Sequence, residues 1–114
     1  MYKIYHNPRC SKSRQALQIL RENNVEPEII EYLKNPLTEV EIREILEILG
    51  KTPIEICRTG EKIFKELDLT KNSSDEELIS AMAKNPILIE RAIVIKNNKK
   101  GVLGRPPENV EELF

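Results

Sequence analysis

Tryptophan, long apolar runs and an excess of charge of either sign are all missing from this sequence. No apolar run approaches the ~18 residues that a membrane-spanning helix needs, so we expect no membrane association. The 18 basic and 19 acidic residues leave a net charge of −1, which argues against a protein that binds nucleic acid. The first residues lack the pattern of a signal peptide, and we therefore expect a cytoplasmic location.

Histidine and cysteine are scarce, which limits the chemistry further. The two cysteines, Cys10 and Cys57, cannot form the disulfide framework of a small secreted domain. Together with His6, the one histidine, they provide at most three nitrogen or sulfur ligands and no C-x-x-C pair, so no zinc site is expected. A Ser-His-Asp site could be built only around His6.

The sequence does contain enough apolar residues for one folded domain. Hydrophobic residues make up 39% of the 114 positions, and we expect a single domain, residues 1–114, that is a monomer. Residues 1–24 carry five basic residues and one glutamate, whereas residues 25–50 carry seven glutamates and two basic residues. The basic segment surrounds Cys10.

The first third of the chain predicts a parallel strand pair. Alternating residues predict a strand over residues 2–5, and an apolar pattern of helical period runs from Ser11 to about Asn23. A second strand is predicted over residues 28–32. Strand, helix and strand over about thirty residues are typical of a right-handed βαβ unit.

The middle of the chain is predicted to be helical. Capping-box patterns that begin at Thr38 and Ser74 open two helices. Shorter helices are predicted between them, and Leu67 in one of these is expected to face inward. We therefore expect a helical insertion over about residues 38–86, between the second and third strands.

The last third changes period again. Residues 92–95 and 101–103 predict a hairpin that turns at Asn97 and Asn98, and a final helix is predicted after Pro106. The element order is βαβ, a helical block, and ββα. We expect an α/β protein with a thioredoxin-like core and a mixed four-stranded sheet.

Cys10 has the surroundings of a reactive thiol. It follows a strand and a proline turn and lies at the start of a predicted helix, where free N–H groups and the helix dipole favour a thiolate. Arg9, Lys12 and Arg14 add positive charge nearby, and His6 is four residues back. Backbone N–H groups at a helix start also suit an oxyanion. The sequence thus predicts a nucleophilic thiolate beside an anion site.

Four segments carry a resemblance to a known family. The residues HNPRCSKSR at 6–14 resemble the active-site loop of the glutaredoxin-linked arsenate reductases, the ArsC/Spx-like family of the thioredoxin superfamily. The resemblance extends along the chain through EYLKNP at 31–36, NPILIER at 85–91 and GRPPE at 104–108. It implies a thioredoxin-like core with a helical insertion.

The resemblance also implies a reaction. The Cys10 thiolate would attack arsenate, held by arginines, and form a covalent thiol–arsenate adduct. Glutathione, as a co-substrate, would then displace arsenic as arsenite, and a glutaredoxin would resolve the mixed disulfide. No metal or tightly bound cofactor is implied.

The site residues follow from the same resemblance. The planar guanidinium of arginine suits tetrahedral oxyanions, and the family's three anion-binding arginines correspond to Arg58, Arg91 and Arg105. The residues expected to support the thiolate are His6, Arg9, Ser13 and Arg14.

This chain departs from the family pattern near the predicted site. The family has a proline after the arginine at 91, in a cis peptide, whereas this chain has Ala92. A cis bond before a residue other than proline is costly, so we expect a trans Arg91–Ala92 bond and an Arg91 side chain displaced from Cys10. Arg9 replaces a small residue of some arsenate reductases and indicates a subfamily whose substrate need not be arsenate. Cys57 is expected to be a buried core residue and not a second redox residue.

Two alternatives stay open. One is a glutathione-linked thiol oxidoreductase that acts on another substrate. The other is an Spx-like regulator that binds RNA polymerase and carries no catalysis. Many such regulators have a C-x-x-C redox switch, but here Ser13 occupies the second position, so no disulfide can form within the loop. The three arginines favour oxyanion chemistry over polymerase binding.

Overall fold

The computed structural model describes residues 1–114, which divide into two compact units. Residues Met1–Asn35 and Arg91–Phe114 form the first, called here the sheet unit, and residues Pro36–Glu90 form the second, the helical unit. That the chain behaves as a single domain stays a prediction. None of the helices combines the length and the apolar character needed to cross a bilayer.

The sheet unit contains the predicted βαβ and ββα segments. Its elements are β1 (Tyr2–Tyr5), α1 (Ser11–Glu22), β2 (Glu28–Ile30), β3 (Ile93–Lys96), β4 (Lys100–Leu103) and a C-terminal 3₁₀ helix (Pro107–Leu113). The strand order is β2-β1-β3-β4; β1 pairs parallel with β2 and antiparallel with β3, and β3 pairs antiparallel with β4. The predicted mixed four-stranded sheet is therefore confirmed, with β1 and β3 at its centre.

One face of the sheet buries the apolar side of α1. Ile4 of β1 lies opposite Val94 of β3 in the antiparallel ladder, and both side chains are fully buried. Ala16 and Leu20 of α1 and Val110 of the C-terminal 3₁₀ helix complete this core. Burial of such side chains stabilises the unit by roughly 1.5–3 kcal/mol for each large one. The core fixes the start of α1, and hence Cys10, above the sheet.

The predicted turn at Asn97 and Asn98 joins β3 to β4. Both residues have positive φ angles, 54° and 55°, and the Lys99 N–H donates to the Lys96 carbonyl at 3.1 Å, as in a type I′ turn. Because Lys96 pairs with Lys100, the loop contains three residues. The final helix forms after Pro106 as predicted; Val110 and Leu113 are buried, whereas Phe114, which follows the last residue of the 3₁₀ helix, is 48% exposed.

The helical unit is the predicted insertion between the second and third strands. Its elements are α2 (Glu39–Leu49), a 3₁₀ helix (Pro53–Ile56), α3 (Lys62–Glu66), α4 (Asp75–Lys84) and a second 3₁₀ helix (Pro86–Leu88). Thr38 and Ser74 cap α2 and α4 with the predicted reciprocal side-chain bonds, and Gly50 ends α2 with a φ of 65°. The predicted inward orientation of Leu67 is wrong: α3 already ends at Glu66, and Leu67 is 43% exposed.

Candidate active site

Cys10 occupies the N-cap position of α1, with the extended backbone that this position requires. A tight turn precedes it: the Cys10 N–H donates to the Asn7 carbonyl at 3.0 Å, and the Arg9 N–H donates to Asn7 Oδ1 at 3.0 Å. The Cys10 carbonyl in turn accepts the Arg14 N–H at 3.0 Å, the first bond of the helix. The Asn-Pro turn therefore holds the thiol at the end of the helix where N–H groups are free.

The pKa of the Cys10 thiol is lowered from its ordinary value. Partial burial alone would raise this pKa, but the backbone N–H of Ser13, the guanidinium of Arg91 and the backbone N–H of Lys12 all favour the thiolate and outweigh it. A larger fraction of Cys10 is therefore ionised at neutral pH than for a free thiol, and the thiolate is the nucleophilic form.

Arg91 provides two N–H groups that no protein atom accepts. Its Nε and Nη1 atoms are buried and have no hydrogen-bond partner, although its guanidinium lies close enough to Cys10 to lower the thiol pKa. A buried, charged donor without an acceptor is costly. An anion at this position would satisfy both groups and lie next to the sulfur.

The prediction of a trans Arg91–Ala92 bond is wrong, as is the expected displacement of Arg91. The bond is cis, as is Arg105–Pro106. The prediction considered only the intrinsic preference of the peptide bond, whereas tertiary contacts surround Ala92. Its side chain is fully buried in the core, and its carbonyl accepts the Gly104 N–H at 2.7 Å. The approach is so close that a Cβ on Gly104 would lie 3.3 Å from the Ala92 oxygen.

His6 is joined to the Cys10 loop through Ser13. Its Nδ1 lies 2.6 Å from Ser13 Oγ, and the Asn7 N–H donates to the same hydroxyl at 3.1 Å. Burial lowers the pKa of His6; Glu31 opposes that effect, and two arginines add to it. His6 is therefore mostly uncharged at neutral pH, and its support of the thiolate stays a prediction, with Ser13 as the residue that links it to the Cys10 loop.

The structure gives the two arginines of the loop different environments. Arg14 Nη1 donates to the Pro8 carbonyl at 2.9 Å and so braces the turn before Cys10. The Arg9 side chain is exposed, and its guanidinium forms no hydrogen bond or ion pair. Arg105, between β4 and the C-terminal 3₁₀ helix, is likewise exposed with an unpaired guanidinium. The thiolate-supporting roles of Arg9 and Arg14 stay predictions.

Arg58 belongs to the helical unit, where two carboxylates hold its guanidinium. Its Nη1 lies 3.3 Å from Glu61 Oε2, and its Nε lies 3.5 Å from Glu90 Oε1. The second contact has the distance of an ion pair but not the geometry of a hydrogen bond, since the same Glu90 oxygen is buried without a hydrogen-bond partner. Arg58 differs in this respect from Arg91, and its anion-binding role stays a prediction.

Cys57 is a buried residue of the helical unit, as predicted. It is 6% exposed and pairs with Ile89 in an isolated antiparallel β-bridge. Burial, with a smaller contribution from the charge of Glu90, raises the pKa of its thiol to about 11. The thiol is therefore protonated throughout the physiological pH range.

Sequence reasoning missed several groups of the site. The backbone N–H groups of Lys12 and Ser13 act on the sulfur without any side-chain signature beyond the helix start. Asn7, whose backbone and side chain close the turn, could have been found from the Asn-Pro pair. The ion pair between Arg58 and Glu61 was also not predicted. No group of three or more His, Cys, Asp or Glu side chains is arranged to hold a metal ion.

Comparison with known proteins places this site in a family. The profile of the ArsC family matches residues 5–113. The chain is 51% identical over 113 residues to "Uncharacterized protein YfgD" of Escherichia coli (strain K12), covering 97% of this chain and 94% of that protein. It is 42% identical over 114 residues to "Arsenate reductase" of Neisseria meningitidis serogroup A, covering 98% and 97%.

A solved structure shows the same fold along the whole chain. The "Arsenate reductase from Vibrio cholerae" superimposes with a TM-score of 0.93 at 40% sequence identity, and the match covers 99% of this chain and 97% of that one. The matched residues include every element of the sheet unit and of the helical unit. With the profile match and the sequence identities, this shows that the chain belongs to the ArsC family.

Proposed function

We propose that this protein is an arsenate reductase in which Cys10 is the nucleophile. The observation that carries the proposal is the pairing of a thiol of lowered pKa with an arginine whose buried Nε and Nη1 atoms lack acceptors. A thiolate and unsatisfied cationic donors side by side suit attack on a tetrahedral oxyanion. Relatives named arsenate reductase, at 40–42% identity, support arsenate as that oxyanion.

Arginines hold the substrate in this proposal. Arg91 donates its two free N–H groups to arsenate oxygens, and the exposed guanidinium of Arg105 supplies a further cation. Arg58, which corresponds to the third arginine of the family pattern, is paired with Glu61 and Glu90 in this structure. Its contribution is tested separately by substitution.

The chemical steps balance with a thiol as reductant. The Cys10 thiolate forms a bond from its sulfur to arsenic(V), and one arsenate hydroxyl group leaves and takes up a proton to become water. The thiolate of glutathione then attacks the Cys10 sulfur, and the electron pair of the S–As bond remains on arsenic, which leaves as arsenite. The two sulfurs are oxidised to a mixed disulfide as arsenic(V) is reduced to arsenic(III). A glutaredoxin thiol attacks the glutathione sulfur and releases the Cys10 thiolate.

The test is coupled turnover of the full chain. Arsenate, glutathione, glutaredoxin, glutathione reductase and NADPH are combined, and NADPH oxidation is followed against a blank without arsenate. We expect oxidation that depends on arsenate and is lost in Cys10→Ser. Equal rates with and without arsenate would contradict the proposal and favour a thiol oxidoreductase of another substrate. No turnover, with capture of RNA polymerase, would favour the regulator.

A further inference from the structure

A cavity of about 240 Å³ opens on the side of the Cys10 loop that faces the end of β2. Its apolar walls come from Pro8 and Leu33, and its charged rim comes from Arg9, Glu31 and Lys34. All of these residues belong to the sheet unit. One of the lining residues, Arg9, directly precedes the reactive Cys10 in the sequence.

The rim carries two cations and one carboxylate. The Arg9 guanidinium has no partner in the protein, while its backbone is fixed by Asn7 Oδ1 at 3.0 Å. Lys34 Nζ lies 3.4 Å from Glu31 Oε1, and the Lys34 N–H donates to the Glu31 carbonyl at 3.0 Å, so one turn presents both charges. His6 also lines the cavity and is uncharged at neutral pH, because burial lowers its pKa.

This charge pattern complements an α-amino acid head group. An α-carboxylate suits the free fork of Arg9, and an α-ammonium suits the Glu31 carboxylate. The volume decides how much of a ligand fits, since sites for whole drug-sized ligands span about 300–1,000 Å³. A cavity of about 240 Å³ holds one amino-acid end of a small peptide and leaves the rest outside.

We propose that this cavity binds the amino-acid end of the thiol co-substrate, a small peptide of the glutathione type, and directs its thiol toward Cys10. The inference rests on the proposed function for the role of that thiol. In such a peptide, the residue that carries the thiol lies one or two residue lengths from the bound amino-acid end, which is roughly 3.5–7 Å. Arg9 lines the cavity and directly precedes Cys10, and consecutive Cα atoms are about 3.8 Å apart, so this span is of the same order as the separation of the two residues.

A larger cavity, of about 490 Å³, lies along α1 and is less suited to this ligand. Its two arginines are already engaged: Arg14 Nη1 donates to the Pro8 carbonyl at 2.9 Å, and Arg21 Nε lies 3.0 Å from Glu26 Oε1. A ligand carboxylate there would compete with these protein acceptors for the two guanidinium groups. The free guanidinium of Arg9 favours the smaller cavity.

The first experiment measures binding without chemistry. S-methylglutathione, which keeps both carboxylates and the ammonium but has no free thiol, is titrated into the full wild-type chain and followed by amide NMR shifts. We expect saturable shifts at Arg9 and Lys34, and a Kd that rises about tenfold in Arg9→Ala and in Glu31→Gln. Lys99→Ala, which removes an exposed lysine of the hairpin turn, serves as the matched control and should keep the wild-type Kd.

Two results of this titration would overturn the proposal. One is the absence of saturable shifts. The other is a set of shifts confined to Leu17 and Gln18, which line the larger cavity. Neither result depends on whether the protein reduces arsenate, so the site and the proposed function can fail independently.

The second experiment assigns the thiol to the site. With arsenate as substrate, KM is measured for glutathione and for 2-mercaptoethanol, which has no charged groups. Glu31→Gln, at a rim residue with no assigned part in the chemistry, should raise the KM for glutathione about tenfold. It should leave the values for 2-mercaptoethanol and for arsenate within about twofold. An equal effect on both thiols, or a rise confined to the KM for arsenate or for glutaredoxin, would show that the cavity does not select this peptide.

Discussion

Cys10 lies at the start of α1, where two backbone N–H groups and the Arg91 guanidinium favour its thiolate, whereas Cys57 lies in a β-bridge of the helical unit beside the carboxylate of Glu90. The pKa of the first thiol is lowered, and that of the second is raised to about 11. Burial raises the pKa of both thiols, and Cys57 is the more buried of the two. At Cys10 the hydrogen-bond donors and the positive charge of Arg91 outweigh burial, whereas at Cys57 the charge of Glu90 adds to it.

The largest effect is expected from substituting the two cysteines one at a time and comparing arsenate turnover. Cys10→Ser should lower arsenate turnover at least ~1000-fold, because a serine hydroxyl is not ionised at neutral pH. Cys57→Ala should keep turnover within about twofold once correct folding is verified by circular dichroism. The measurement is the coupled NADPH assay. A folded Cys57→Ala protein without activity would remove the contrast and make Cys57 a redox partner.

Arg91 is the next way to test the contrast, since it both favours the thiolate and offers free donors. Arg91→Ala should reduce kcat/KM for arsenate by roughly 10-fold to 1000-fold and raise the pKa of Cys10. Arg91→Lys should restore only part, because lysine keeps the charge but loses the planar fork. The readouts are steady-state kinetics and the pH profile of iodoacetamide alkylation.

Substitution of Arg58 and of Arg105 provides the controls for the effect of Arg91 on the pKa of Cys10. Arg58→Ala and Arg105→Ala should also lower kcat/KM if they bind the oxyanion, but neither should shift the alkylation profile. Unchanged activity in all three alanine variants would reject the arginine site. A shifted profile in the Arg105 variant would show that the thiolate depends on more cations than Arg91.

Ser13 allows the backbone contribution to be separated from the side-chain contribution. Its N–H favours the Cys10 thiolate, while its hydroxyl joins His6 and the Asn7 N–H. Ser13→Ala should therefore leave the pKa of Cys10 nearly unchanged but destabilise the protein by about 1–3 kcal/mol, since a buried histidine nitrogen and an amide lose their partner. Urea denaturation measures this, with the exposed Ser11→Ala as control. An upward shift of the thiol pKa would show that the hydroxyl acts on the sulfur.

The smallest effect is expected at alkaline pH and belongs to Cys57. The folded protein keeps this thiol protonated up to a pKa of about 11, whereas the unfolded chain ionises it near its ordinary value of 9.0. The protonated Cys57 thiol therefore contributes to the free energy of unfolding fully below pH 9, and this contribution is lost as the pH rises through about 11. Between pH 9 and pH 11, the Tm of the wild-type protein should therefore fall further than the Tm of Cys57→Ala. Parallel losses in the two proteins would contradict the raised pKa.

The sequence was informative wherever neighbouring residues determine structure. The Asn-Pro turn, the helix start at Cys10 and the capping boxes of Thr38 and Ser74 act over three or four residues, and the structure confirms these elements. The mixed sheet followed from the order of strands and helices. Leu67 shows the limit of this reasoning, since a helix pattern does not reveal that α3 ends one residue earlier.

The rest of the site depends on contacts between distant segments. Nothing near Arg91 in the sequence indicates that its guanidinium acts on Cys10; the resemblance to a family identified the residue, and the Ala92 substitution then led to the wrong geometry. The uncharged state of His6 likewise results from burial that its polar neighbours in sequence do not suggest. Tertiary packing determines both.

Gly104 carries a consequence beyond its own position. Its N–H donates to the Ala92 carbonyl, and a Cβ there would meet that oxygen at 3.3 Å, Ala16 Cβ at 3.4 Å and Val110 Cγ2 at 3.5 Å. An alanine at this position would press on the residue that follows Arg91, on α1 and on the C-terminal 3₁₀ helix together. In a saturation mutagenesis screen for arsenate resistance, position 104 should therefore tolerate fewer substitutions than Gly60, where an added Cβ would meet nothing within 4 Å, although Gly104 has no side chain to offer the substrate.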